Sequence, residues 1–179
     1  MPTPPVDLTQ RLSPHFTLAE LCRSERAAAL KLDNTPPAGA VANLRRLCLE
    51  VLEPVRDQFG AYRVTSGYRS PTLNGQTPGS SKTSAHPDGR AADGQPDSVR
   101  VPADLIDVVR WVVASKLPFD QVIYESVKDR YDAVHRWVHL GIAALGAAPR
   151  RQALMTFDAK KYLPFDVKKI DLTSGGFKG

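Results

Sequence analysis

The stretch from Ser81 to Asp93, SKTSAHPDGRAAD, sets His86 and Asp93 seven positions apart among small residues, in a chain with only four histidines. Imidazole and carboxylate both offer lone pairs, so the pair suits one edge of a metal site. A turn with a chance histidine, running into a buried strand, is the other reading. A third donor would decide between them, and the segment RWVHLGIA offers His139. Its neighbours Val138 and Leu140 are apolar, and strand alternation puts them on the opposite face from the histidine. Taken alone, such a histidine reads as a satisfied core or surface residue. Taken together, two histidines and one carboxylate, with a fourth position open, are the ligand set of a hydrolytic zinc centre.

These side chains need a frame, and the hydrophobic periodicity outlines one. Residues 1–15 hold four of the fifteen prolines and no periodic pattern, and read as an extended lead-in. Thr17 followed by Glu20 is a capping box opening a short helix, TLAELCRS. In DNTPPAGAVANLRRLCLEVLEPVRDQFG, Val41, Leu44, Leu47, Cys48, Val51, Leu52 and Val55 recur at helical spacing. Thr35 is the expected cap there, Pro36 and Pro37 suit the first turn, Pro54 should kink the helix, and Gly60 should stop it. YRVTSGYRSP is a short strand that breaks at Ser66-Gly67, and the loop over 71–78 has room for one helical turn after Ser70-Pro71. GRAAD reads as a short buried strand, small enough for a neighbour to press on it. PADLIDVVRWVVASK is a second amphipathic helix, with Leu105, Val108, Val109, Val112 and Val113 inward. FDQVIYE, RWVHLGIA and RQALMTFD alternate in succession, most simply as an antiparallel meander. Helices precede strands, so the fold class is α+β, with helices packed on a small, mainly antiparallel sheet. The domain spans 16–157, followed by a basic tail over 158–179 whose Lys160, Lys161, Lys168 and Lys169 are solvated.

At 179 residues, 42% hydrophobic and 24% charged, the chain has the balance of one globular domain. No apolar run approaches the length of a membrane span, and the N-terminus lacks the pattern of a secretory signal, so a soluble monomer made in the cytoplasm is expected. The net charge of +5 favours an anionic partner such as nucleic acid, a membrane surface or a bacterial wall. The basic residues are scattered, without the aromatic interleaving of single-strand binders, which argues against nucleic acid. Cys22 and Cys48 sit in apolar helical patterns and read as buried free thiols. His15 reads as solvent-exposed, and Trp111 and Trp137 as packing residues.

SAHPDGRAAD fits the pattern S-x-H-x-x-G-x-A-x-D and so resembles the zinc D-Ala-D-Ala peptidase family, peptidase M15, which includes bacterial D-Ala-D-Ala carboxypeptidases, dipeptidases and phage endolysins. FTLAELCRSERAAALKLDNTPP, LEPVRDQFGAYRVTSGYRSPTLN, LPFDQVIYE and WVHLGI look like successive blocks of the branch common in phage and prophage genomes, so the resemblance runs from about Phe16 to Phe157. It implies a zinc peptidase acting on the stem peptides of peptidoglycan, as a D-Ala-D-Ala carboxypeptidase or an endopeptidase of the L-alanyl-D-glutamate kind. It implies an endolysin that waits in the cytoplasm until the membrane is opened. The family's zinc ligands fall on His86, Asp93 and His139, and a family arginine that holds substrate carboxylate or carbonyl groups falls on Arg69, whose planar fork suits that task. Gly89 lets the backbone bend between the ligands, while Ala91 and Ala92 let the ligand strand pack closely. Ser84, two residues before His86, can bind a peptide or orient the site, or is a plain loop serine.

Hydrolysis also needs a general base. Glu125 ends the strand FDQVIYE, directly before the hairpin that returns as the His139 strand, and the resembling sequences tend to carry a glutamate there. Some branches instead place an acidic base three residues before the last histidine ligand, where this chain has Arg136; His135 and Asp132 are the competing candidates. A non-catalytic wall-binding or virion structural module on the same fold is the alternative to an enzyme.

Overall fold

The computed structural model describes residues 6–178; the first five residues of the expected lead-in and Gly179 of the expected tail lie outside it. Helix α1 (Leu18–Cys22) begins where Thr17 Oγ1 accepts the Glu20 amide, as the capping pattern requires, and α2 (Glu25–Ala29) follows under a Ser24 cap. The long apolar pattern becomes α3 (Ala38–Leu47), a π-helical stretch over Cys48–Leu52, and α4 (Glu53–Phe59), ended by Gly60 at φ 85°. Two details differ from expectation. Thr35 does not cap α3: its amide is turned toward Asp33, and the helix starts only after both prolines. Nor does Pro54 simply bend the helix, because the π-helical stretch directly before it sends the Glu53 amide to the Cys48 carbonyl and widens the turn where the proline has no N–H to give.

Leu44, Leu47, Cys48, Val51, Leu52 and Val55 are fully buried, and each such aliphatic contributes roughly 1.5–3 kcal/mol by leaving water. Both cysteines are free and buried, and burial pushes each thiol up to about 12. Helix α5 (Pro71–Gln76) is the single turn expected after Ser70, whose hydroxyl accepts the Leu73 amide. In α6 (Pro102–Ala114), Leu105, Val108, Val109 and Val112 face inward as expected. Val113 does not: it is 40% exposed, and Ile106 takes the inward place. Trp111 packs against the core and meets the edge of Phe59.

The strands are β1 (Tyr62–Ser66), β2 (Ala91–Pro96), β3 (Phe119–Lys128), β4 (Val134–Ile142), β5 (Gln152–Thr156) and β6 (Leu163–Pro164), and they form one sheet in the order β1-β2-β4-β3-β5-β6. The sheet is antiparallel except between β3 and β5, so the expected meander is incorrect: β5 crosses to the far edge of β3 and runs parallel to it. The physical reason is that β4 has no free edge, since β2 pairs one side of it and β3 the other, so β5 extends the sheet at β3, and Arg150 then fastens it there. The Arg150 amide, Nε and Nη2 all bond the Asp120 carboxylate, at 2.8, 2.9 and 2.6 Å, and so pin the start of β5 beside the start of β3.

Alternation divides the sheet into two faces. Val122, Tyr124, Val138, Leu140 and Ile142 join the core under the helices, while Ile123, Glu125, Trp137 and His139 line the opposite face. The C-terminal segment folds back onto the body. Ile170 is fully buried, the Tyr124 hydroxyl donates to the Gly175 carbonyl, and Arg136 bonds Ser174, whereas Lys160, Lys161, Lys168 and Lys169 are exposed. At the other end Leu12 is fully buried, and His15 pairs with Glu53 at 2.7 Å while keeping about half its side chain in solvent. Among the described residues no helix is long and apolar enough to cross a membrane.

Candidate metal centre

The short strand β2 sets the first donor. Its small residues admit close neighbours: a side chain at Gly94 would put Cβ 2.5 Å from the Arg63 carbonyl oxygen. Asp93 therefore sits pressed between β1 and β4, directly opposite His139 in the antiparallel register. His139 Nδ1 lies 2.8 Å from Asp93 Oδ1. His86 arrives from another direction, on a 3-10 turn over His86–Asp88 that Gly89 closes in the left-handed region at φ 68°. Glycine is required there twice over, because a Cβ would also fall 2.4 Å from the Ala40 carbonyl oxygen.

One backbone carbonyl fixes the His86 tautomer. Nδ1–H donates to Gly67 O at 2.6 Å, which leaves Nε2 as the lone-pair nitrogen, 3.3 Å from Asp93 Oδ2. That Nε2 is buried and has no hydrogen-bond partner. Burial lowers the His86 pKa, keeping the ring neutral, and although burial opposes it, the neighbouring imidazoles hold the Asp93 carboxyl well below the usual carboxylate range. Neutral imidazoles and an ionised carboxylate are the protonation states a metal needs. One ligand atom from each of His86, Asp93 and His139 lies within 4.8 Å of the others, the one such group among the described residues. The orphaned nitrogen and the donor set fit a zinc ion.

Around this cluster is a cleft of about 410 Å³. Glu125 lines it from β3, two positions along from Ile123, which pairs with His139. With no metal bound, burial, then the Asp93 charge, raises its carboxyl to about 7. Arg69 Nη2 lies 4.0 Å from Asp93 Oδ2, and its buried Nε has no partner. Ser84 also lines the cleft, and its hydroxyl accepts the His86 amide at 3.3 Å. The competing base candidates stand elsewhere. His135 is exposed at the hairpin and bonds Asp129 at 2.9 Å; four residues along β4 separate it from His139 by about 13 Å. Asp132 occupies the turn at φ 60°, with its carboxylate 3.5 Å from Lys128 Nζ in solvent.

Three contributors lay outside the expected site. Asn34 secures the arginine loop, donating to the Cys22 and Tyr68 carbonyls and accepting the Ser70 amide at 2.7 Å. Trp137, expected only to pack, lines the cleft opposite Glu125 in the strand register, and its buried indole N–H acts on the Glu125 carboxyl, partly offsetting the rise in its pKa. Tyr162 reaches the cleft from the C-terminal segment; burial, then the charges of Glu125 and Asp93, push its hydroxyl up to about 12. The asparagine before Thr-Pro-Pro was a usable turn signal. Nothing in the periodicity marked Tyr162, since its place depends on how the chain folds back.

A family model described as Peptidase M15 matches residues 14–135, a span that includes Arg69, Ser84, His86, Asp93 and Glu125 and stops before His139. No curated protein matches the chain.

Proposed function

The chain belongs to the peptidase M15 family, whose members are metallopeptidases, and from that premise we propose that it is a zinc enzyme hydrolysing peptide bonds in the stem peptides of bacterial peptidoglycan. The observation that carries this reading is the cluster of His86, Asp93 and His139 in the same cleft as the buried carboxyl of Glu125. Zinc held by those three residues would supply a Lewis acid for the scissile carbonyl and acidify the hydrolytic water.

The chain's own groups do the rest. Glu125 takes a proton from the attacking water and delivers it to the leaving amine nitrogen, from its buried place in the same cleft as the ligand cluster. Arg69 offers its guanidinium to a substrate carboxylate or carbonyl, and the Asn34 bonds keep its loop from drifting. Ser84 holds the turn that presents His86, leaving its own hydroxyl hydrogen for a peptide carbonyl. Trp137 and Tyr162 narrow the cleft and exclude bulk water, which strengthens every charge interaction inside it.

The scissile bond we favour is one bordering a D-residue, cut either as a D-Ala-D-Ala carboxypeptidase or as an L-alanyl-D-glutamate endopeptidase. The setting is phage or prophage lysis, supported by the resemblance to that branch of the family. Purified peptidoglycan incubated with the zinc-loaded protein and analysed by mass spectrometry should show new peptide termini, absent when a chelator is added. Binding to the wall with no new termini would instead identify a non-catalytic wall-binding or virion module.

A further inference from the structure

A second cleft of about 700 Å³ adjoins the metal cleft, and the loop over 80–84 contributes Ser80, Ser81, Thr83 and Ser84 to the walls of both. Its chemistry differs from the first. Thr77 adds a further hydroxyl, no aromatic side chain lines it, and its apolar contribution is limited to Pro71, Gly75 and Pro87. Asn74 lines it with only 7% of its surface exposed; its Nδ2 donates to the Ser81 carbonyl, and its Oδ1 is buried without any partner. A buried amide oxygen left unpaired is costly, so a donor from outside is favoured there. Two cations border the cleft. Arg90 is committed at 2.6 Å to Asp88, whose carboxylate also lines the cleft, and to the Ile142 carbonyl, whereas Lys82 makes no ion pair among the described residues. Thr77 and Ser80 already donate their hydroxyl hydrogens to the Leu73 and Asn74 carbonyls, so the walls offer hydroxyl oxygens that chiefly accept, one bare amide acceptor and one available ammonium. A ligand rich in hydroxyl, amide and carbonyl groups satisfies all three, and the volume suits a group of sugar size.

We infer that this second cleft is a subsite for the N-acetylated, hydroxyl-bearing amino sugar to which a stem peptide is joined, so that the protein recognises sugar and peptide across the shared Ser80–Ser84 loop. The inference rests on the peptidoglycan reading and names a second part of the same substrate.

Gly75 allows a direct test. Gly75 lines the cleft and a Cβ there meets nothing within 4 Å, so Gly75→Leu is tolerated, sets an apolar side chain at the cleft wall and removes a glycine from a helix. The zinc-loaded protein is given two substrates, a stem peptide and the same peptide carrying N-acetylmuramic acid, with kcat/KM and the binding of each measured. The sugar-linked form should be preferred by about tenfold, the scale of one or two net hydrogen bonds. Gly75→Leu and Lys82→Ala should each bring that ratio toward one while melting no lower than the parent. Equal use of the two substrates by the parent protein overturns the inference, as does a ratio that survives both substitutions. If neither substrate is cut but the sugar-linked form still binds more tightly, and Gly75→Leu abolishes the difference, the subsite stands and the peptidase reading falls. A peptide as good as its sugar conjugate in binding, with neither cut, removes both.

Discussion

Replacing Glu125 by glutamine should weaken catalysis and strengthen the fold, and the structure sets the size of both effects. The carboxyl sits in a buried cleft facing the Asp93 charge, and its pKa rises from 4.5 to about 7. Each pKa unit is worth about 1.4 kcal/mol, so ionising Glu125 in the folded, metal-free protein costs about 3 kcal/mol more than ionising it in the unfolded chain. The sign follows from proton binding. Between about pH 4.5 and 7 the folded state holds the proton more tightly, so the stability of the metal-free protein falls as pH rises through that window and then levels off. Glutamine does not titrate. In chelator, Glu125→Gln should therefore match the parent near pH 4.5 and exceed it at pH 8 by up to about 3 kcal/mol, or about 6–12 °C in Tm for a chain of this size. Urea or thermal unfolding at the two pH values measures the gap. With zinc restored, the variant should retain the metal, because Glu125 is outside the ligand cluster, and turn over about 100-fold more slowly or worse. A stability gap that is absent at pH 8, or equal at both pH values, would refute the electrostatic reasoning; near-native turnover would refute the role as base.

Other expectations concern the residues that hold or surround the centre. His135→Ala should keep turnover within a few-fold of the parent, since the ring is exposed and bonded to Asp129; an inactive, zinc-loaded His135→Ala protein would transfer the base role to it. Arg69→Ala should retain zinc while lowering kcat/KM by about 10- to 100-fold, the loss of a charged hydrogen bond to substrate, and an unchanged value would mean the guanidinium does not reach it. Gly67→Ala should destabilise by about 2 kcal/mol or more, because its Cβ would lie 2.2 Å from the Leu21 carbonyl oxygen, and should weaken zinc binding by displacing the carbonyl that orients His86; thermal unfolding and a zinc titration check the two halves.

The parts of this structure that were legible in the sequence are those set by local chemistry. The Thr17 cap, the apolar stripe from Leu44 to Val55 and the small residues of β2 each state their own environment, and the motif around His86 and Asp93 named two of the three side chains that the structure gathers into one cluster. The parity of β4 put His139 on the face away from Val138 and Leu140, where it meets Asp93. What was not legible depends on pairings distant in sequence. Alternation in RQALMTFD reveals a strand but not its neighbour, and β3 is the neighbour because β2, from much earlier in the chain, already occupies the other edge of β4. Likewise, four exposed lysines made the C-terminal segment look solvated as a whole, while Ile170 and Tyr162 between them are used by the core and the cleft. Trp137 looked like packing because its strand neighbours are apolar; only the register opposite Glu125 gives it a place in the site.

The most direct test of the metal centre is the zinc content per chain, measured by mass spectrometry after dialysis, of the parent protein and of His86→Ala, Asp93→Ala and His139→Ala. The parent should hold one zinc and each variant essentially none. All four should unfold cooperatively, because the helices and the far face of the sheet supply the core and the metal does not. A parent that binds no zinc, or a His139→Ala protein that keeps a full equivalent, would contradict the assignment of these three residues to one catalytic metal.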